Sequence, residues 1–238
     1  MCQPNFDAPT GEQWVVDNPR FQEFINAVNG IRHSSDEPRA IIAAIEPHLS
    51  QLMAEDGWLP RQFQEPAPDG GMGSGIGTWL LYRSLDGSLA LSALVVPPGA
   101  STPVHDHLAW GIVGLYRGAQ DEEVFERRDD GSSEETADLV VKERRHLDQG
   151  DSYELLPETD IHRVTTTSDI TSVSLHLLGI DNGCIWRHRF VPEEGTVLPF
   201  KSGYVNQPCE DQATGDQQRV EGNPPARATV ASSGALRR

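Results

Sequence analysis

His105 and His107, with His162 further along, are the residues whose types and spacing point most directly to chemistry. Side chains on a β-strand return to one face every second residue, so His105 and His107 can face a common interior while Asp106 faces away. A third imidazole from a distant strand completes one face of a metal ion and leaves positions open for other ligands. Three neutral imidazoles suit Fe(II), Zn, Ni or Cu, so ligand type alone does not choose the metal. An isolated H-x-H pair is as readily two core histidines. Here glycines set it apart: Gly99 precedes the pair, Gly111 and Gly118 follow it, and Gly150 and Pro157 precede His162.

Such a site must be carried by short strands. From Gly77 onward the apolar pattern has a period of two, predicting strands at 78–83, 89–96, 104–107, 110–116, 122–127, 139–143, 152–156, 162–166, 171–178 and 185–191. Turn pairs such as Asp86-Gly87 and Asp130-Gly131 separate them, as in an all-β barrel or sandwich. Residues 1–62 read as a helical segment. Phe21, Phe24, Ile25, Val28 and Ile31 share one helical face that ends near Gly30, and Ser34-Ser35 are placed to cap the next helix. Ile41, Ile42, Ile45, Leu49, Leu52 and Met53 form a second stripe, with Pro47 expected to kink it. Both stripes are read as structural cover for the barrel. Residues 62–77, rich in Pro and Gly, read as a loop, and the barrel is expected to span 63–206. No large aromatic follows Tyr204, and 207–238 reads as a disordered tail.

Composition narrows the partners. A net charge of -17 over 238 residues argues against nucleic acid or an anionic membrane surface, both of which need a basic patch. The acids concentrate at 121–123, 129–130 and 134–135, and are read as solvated hairpin faces. No segment approaches the roughly 20 apolar residues that span a bilayer, and the N-terminus lacks the marks of a signal peptide. Cys2, Cys184 and Cys209 are too few and scattered for a disulfide framework or a Cys-based zinc site, and Cys184 reads as a buried, inert thiol. A cytoplasmic location is the expectation.

The histidine and glycine spacing resembles the two motifs of the cupin superfamily. Gly99, His105, His107 and Gly118 match the first, with Gly111 where a Glu is expected; Gly150, Pro157 and His162 match the second with one extra residue before the proline, with Thr159 and Thr166 where Gly and Asn are expected. The segment PVHDHLAWGIVGLYRG further resembles bacterial 3-mercaptopropionate and mercaptosuccinate dioxygenases and their cysteine dioxygenase relatives, as do Asp56–Pro60 and Leu80–Arg83. The resemblance covers roughly 20–195. It implies a double-stranded β-helix (jelly-roll) barrel behind an N-terminal helical segment. It also implies one Fe(II) per chain held by His105, His107 and His162, with Ni or another divalent ion left open.

The same resemblance implies roles for further residues. Ser174-Leu175-His176-Leu177-Leu178 stands where these enzymes carry S-x-H-x-Y. Alternation places Ser174, His176 and Leu178 on the pocket side and Val173, Leu175 and Leu177 outside. Leu178 replaces the tyrosine, and no neighbouring tyrosine in the motif substitutes for it. Arg187 stands where mercaptopropionate-type enzymes bind a substrate carboxylate, and Arg83 is a second candidate. Trp79 takes the place of the carboxylate arginine of cysteine dioxygenases. The expected activity is addition of dioxygen to the sulfur of a small carboxylate-bearing thiol to give a sulfinate. The alternatives are oxidative rearrangement of cysteine or a related amino thiol, and a non-catalytic metal- or acid-binding cupin. The oligomeric state, including a homo-oligomer, is left open.

Overall fold

Asn18 starts the first helix, its side-chain oxygen accepting from the N–H groups of Arg20 (2.9 Å) and Phe21 (3.4 Å). In this computed structural model, which describes residues 12–68 and 70–209, the helix is α1 (Pro19–Arg32). It runs through Gly30 instead of ending there. Glu37, rather than Ser34 or Ser35, caps α2 (Pro38–Met53), and that helix continues past Pro47. The predicted apolar stripes are the buried faces of both helices. They pack with Leu81, Leu91, Val173, Leu175 and Leu177 into the largest apolar cluster. Each fully buried Leu or Ile there contributes about 1.5–3 kcal/mol.

The remaining elements are strands: β1 (Gln13–Trp14), β2 (Gly77–Arg83), β3 (Ala90–Val96), β4 (Val104–His105), β5 (Gly111–Arg117), β6 (Gln120–Arg127), β7 (Leu139–Leu147), β8 (Ser152–Leu155), β9 (His162–Thr166), β10 (Ser172–Leu178), β11 (Arg187–Val191) and β12 (Thr196–Phe200). They form two six-stranded antiparallel sheets, ordered β1-β2-β3-β10-β5-β8 and β12-β11-β4-β9-β6-β7. The consecutive strands β3, β4, β5 and β6 alternate between the sheets, the mark of a jelly roll. The helices cover the outer face of the first sheet; Met53 of α2 sits where a side chain at Gly114 of β5 would otherwise go.

Two sequence expectations need correction. Glu122 is not on a solvated hairpin face. It is 1% exposed, because Gln120, Glu122 and Val124 share the inward side of β6 while Asp121 faces solvent. Cys184 is not a free thiol: it is bonded to Cys209, with their Cα atoms 5.1 Å apart. The chain after β12 turns back, with the Gly203 N–H on the Gly183 C=O at 2.9 Å, and this brings the two cysteines together. Most of the tail expected to be disordered, from 210 onward, lies outside the described residues, as does Cys2.

Candidate metal centre

His105 and His162 are direct cross-strand partners on β4 and β9, which is why two residues so distant in sequence meet. His107 lies just past the end of β4. The three rings form a triangle with centroids 4.8–4.9 Å apart, and one ligand atom from each lies within 4.8 Å of the others. All three residues are buried.

Two of the three rings are held from behind through Nδ1. His105 Nδ1 lies 2.8 Å from the Pro103 C=O, which assigns its proton to Nδ1 and frees Nε2. His162 Nδ1 lies 2.7 Å from Glu122 Oε1, and Arg145 Nη1 donates to the other Glu122 oxygen at 3.3 Å. His162 Nε2 is then buried with no hydrogen-bond partner among the described residues. Leaving such a nitrogen unpaired in a dry interior is costly, and a metal ion is the partner that this geometry fits. Burial, before any neighbouring charge, pushes His105 and His107 well below the usual imidazole range, keeping them in the neutral form that ligates.

His107 is positioned by residues that sequence reasoning missed. Asp160 Oδ2 accepts the N–H groups of His107 (2.7 Å) and Leu108 (2.8 Å), while Asn182 Nδ2 donates to the His107 C=O at 2.8 Å. Leu108 has a φ of 58°, uncommon for a side chain of its size, so the Asp160 carboxylate fixes a turn that would otherwise relax. Burial raises Asp160 to about 6 despite those two N–H groups.

His105 and His107 of the triad border a cleft of about 390 Å³ between the sheets, open mouth included. His105, His107, His176, Leu178 and Arg187 line it. Ser174 sits behind this surface, its Oγ 3.1 Å from His176 Nε2, and burial lowers His176 to about 3. Val173, Leu175 and Leu177 face the helices, as alternation predicts. Arg83 is not among the lining residues: its guanidinium is paired with Asp181 at 2.6 Å and with Gln13.

Arg187 is 3% exposed, and among the described residues no carboxylate forms an ion pair with it. Its Nη1 donates to the Asp106 C=O (2.7 Å), its Nη2 to Ser202 Oγ (3.1 Å), and its Nε is buried without a partner. Phe200 lies under the guanidinium at 4.5 Å. Burial lowers its pKa to about 10, so it stays cationic near neutrality. Asp106, pointing away from the triad, accepts from the His188 N–H at 2.9 Å and so pins β11 beside the histidines.

Ser202 and Tyr204 complete the cleft from the chain after β12. The single signal for them was that Tyr204 is the last aromatic residue. Its hydroxyl donates to Asp181 Oδ1 at 2.8 Å, so it does not supply the hydroxyl missing at Leu178.

The fold is a cupin-like jelly roll. Its basis is the strand order and the two sheets. No protein-family model matches the chain. Among solved structures, a cupin 2 conserved barrel domain protein from Salinispora arenicola is similar over 52% of this chain and 87% of its own, with a TM-score of 0.35 and 20% identity. A double-stranded β-helix protein from Klebsiella pneumoniae matches over 54% and 92%, with a TM-score of 0.38 and 12% identity. An oxalate decarboxylase from Lactobacillus farciminis, in a formate complex, matches over 40% and 25%, with a TM-score of 0.31 and 15% identity. Among the described residues no helix is long and apolar enough to cross a membrane.

Proposed function

We propose that this protein is a mononuclear non-heme iron oxygenase acting on a small thiol that carries a carboxylate. The net reaction is RS⁻ + O₂ → RSO₂⁻, in which both oxygen atoms end on sulfur. The observation that carries the reading is Arg187: a buried guanidinium that, among the described residues, has no carboxylate partner and that lines the same cleft as His105 and His107 of the clustered triad. Fe(II) on His105, His107 and His162 would supply the redox chemistry and the open positions that a thiolate and dioxygen need.

The chain's own residues do the rest. Arg187 offers its free Nε to a carboxylate and is held rigid by Asp106, Ser202 and Phe200. His176, neutral and supported by Ser174, presents an imidazole on the opposite wall. Leu178 keeps that wall dry. Among the described residues no Asp or Glu lines the cleft, so a substrate ammonium would find no anionic partner among them there. This favours a thiol acid over cysteine or another amino thiol, and with it sulfinate formation over rearrangement.

The test is oxygen uptake by Fe(II)-loaded protein with a panel of thiol acids, amino thiols and neutral thiols, with products identified by mass spectrometry. Consumption of one O₂ per sulfinate formed, restricted to thiol acids, is expected. Metal retention with no uptake for any thiol would instead favour a non-catalytic metal-binding cupin.

A further inference from the structure

Residues 201–209 cross the cleft as a strap. Gly203 N–H donates to the Gly183 C=O (2.9 Å) and Val205 N–H to the Thr78 C=O (2.8 Å). The Asn206 side chain pairs with both backbone polar groups of Leu80, each at 2.9 Å. The Tyr204 ring lies so close on Gly183 that a Cβ there would stand 2.3 Å from it. Ser202, on the same strap, holds Arg187. The strap ends at Cys209, bonded to Cys184, and Cys184 closes the short 3₁₀ turn that gives Asn182 and Gly183 to the cleft wall. Both cysteines are partly exposed, and Arg83 Nη1 lies 3.7 Å from Cys184 Sγ.

We propose that the Cys184–Cys209 pair is a thiol-exchange site at the lip of the cleft, opened by small-molecule thiols, and that its redox state sets how firmly the strap holds Arg187. A thiolate attacks Cys209 Sγ and forms a mixed disulfide; the Cys184–Cys209 bond breaks and its electron pair leaves on Cys184 Sγ. The Arg83 N–H stabilises that thiolate, making Cys184 the better leaving group. A second thiolate attacks the mixed disulfide and releases RSSR. Two RSH are oxidised, and their two protons and two electrons end on Cys184 and Cys209 as thiols. Without the cross-link, the strap is retained by a few hydrogen bonds at its edges and opens more often. The inference is independent of the oxygenase reading; where that reading holds, the substrate thiol is itself a reductant of the pair.

The experiment uses the metal-loaded full chain in glutathione buffers of defined redox poise. In the oxidised form, peptide mapping should recover a Cys184–Cys209 linked peptide. On reduction, the amides of Gly203 and Val205 should exchange with solvent about tenfold faster or more, while those of β10 keep their rates. Cys209→Ser should show the fast rates in both buffers. Propionate, a carboxylate without a thiol, should bind the reduced form several-fold more weakly. Free Cys184 and Cys209 after treatment with glutathione disulfide would overturn the site. Equal exchange rates of Gly203 and Val205 in both states would overturn its control of the strap. Oxygen uptake enters none of these readouts; the propionate arm alone rests on Arg187 binding a carboxylate, and the peptide mapping and exchange rates decide the inference without it.

Discussion

Gly111 and Leu178 face each other across β5 and β10, and a Cβ at position 111 would stand 2.3 Å from Leu178 Cδ2. Both are positions at which the sequence departs from the motifs it resembles, Gly for Glu and Leu for Tyr. The departures are one packing solution: the leucine fills the space that a side chain at 111 would need. A carboxylate side chain at 111 is sterically incompatible with Leu178 as placed, and the cluster that could hold a metal among the described residues consists of three histidines.

Gly111→Ala should therefore destabilise the fold by about 1–3 kcal/mol through overpacking. Combining it with Leu178→Ala should cost less than the sum of the single changes, since the second change removes the atom met by the first. Recovery stays partial, because the Leu177 carbonyl oxygen lies 2.7 Å from the same Cβ position. Chemical denaturation of the four proteins measures the coupling; strict additivity would mean that the two sites do not touch.

Glu122 supports His162, which would supply the metal ligand from β9. His162→Ala should strip most of the metal. Glu122→Gln should keep the fold but weaken metal affinity by roughly 10–100-fold, as loss of a carboxylate behind a ligating imidazole does. Competition with a chromophoric chelator reads both. Unchanged affinity in Glu122→Gln would show that the carboxylate serves Arg145 rather than the metal.

The triad, the barrel and the covering helices were legible because period-two and period-3.6 patterns report which way side chains face. His176 and Leu178 reached the cleft for the same reason. Glu122 was hidden by composition: between Asp121 and Glu123 it looks like part of an acidic run, and only strand alternation separates it from its neighbours. Asp160 and Asn182 act through backbone groups of His107, contacts that carry no sequence periodicity. Arg83 sits on a strand leading toward the barrel but is engaged by Asp181, a pairing across 98 residues that no local pattern encodes. The strap and its disulfide depend on a reversal after β12, in a segment whose composition resembles the tail beyond it.

Acid should unfold the metal-free protein. Burial holds His105, His107 and His176 below the ordinary 6.5, so on acidification the unfolded chain takes up protons that the folded form refuses. Stability is then lost as pH falls below 6.5. Asp160 acts in the opposite sense between its ordinary 3.8 and about 6, where the folded form binds the proton. Three groups against one leave a net loss of roughly 3 kcal/mol per pH unit between pH 6 and 5, at about 1.4 kcal/mol per proton. Urea denaturation at several pH values measures this slope. Stability that is flat or rises on acidification would contradict the burial of neutral imidazoles.

Arg187 decides the substrate class. If its free Nε receives a substrate carboxylate, Arg187→Ala should raise the apparent KM for a thiol acid far more than for a neutral thiol of similar size. The loss for the acid should reach roughly 2–5 kcal/mol, since the stranded carboxylate would be desolvated without a partner. Arg187→Lys should recover only part, because three donors on one ammonium nitrogen cannot reproduce the spread of Nη1, Nη2 and Nε that reaches Asp106, Ser202 and the ligand. The comparison separates binding from scaffolding: the bonds to Asp106 and Ser202 serve every substrate equally, whereas the free Nε serves only one that carries an acceptor. Equal damage to charged and neutral thiols would make Arg187 a brace between β11, the Asp106 turn and the strap, and would remove the carboxylate from the substrate proposed for this cleft.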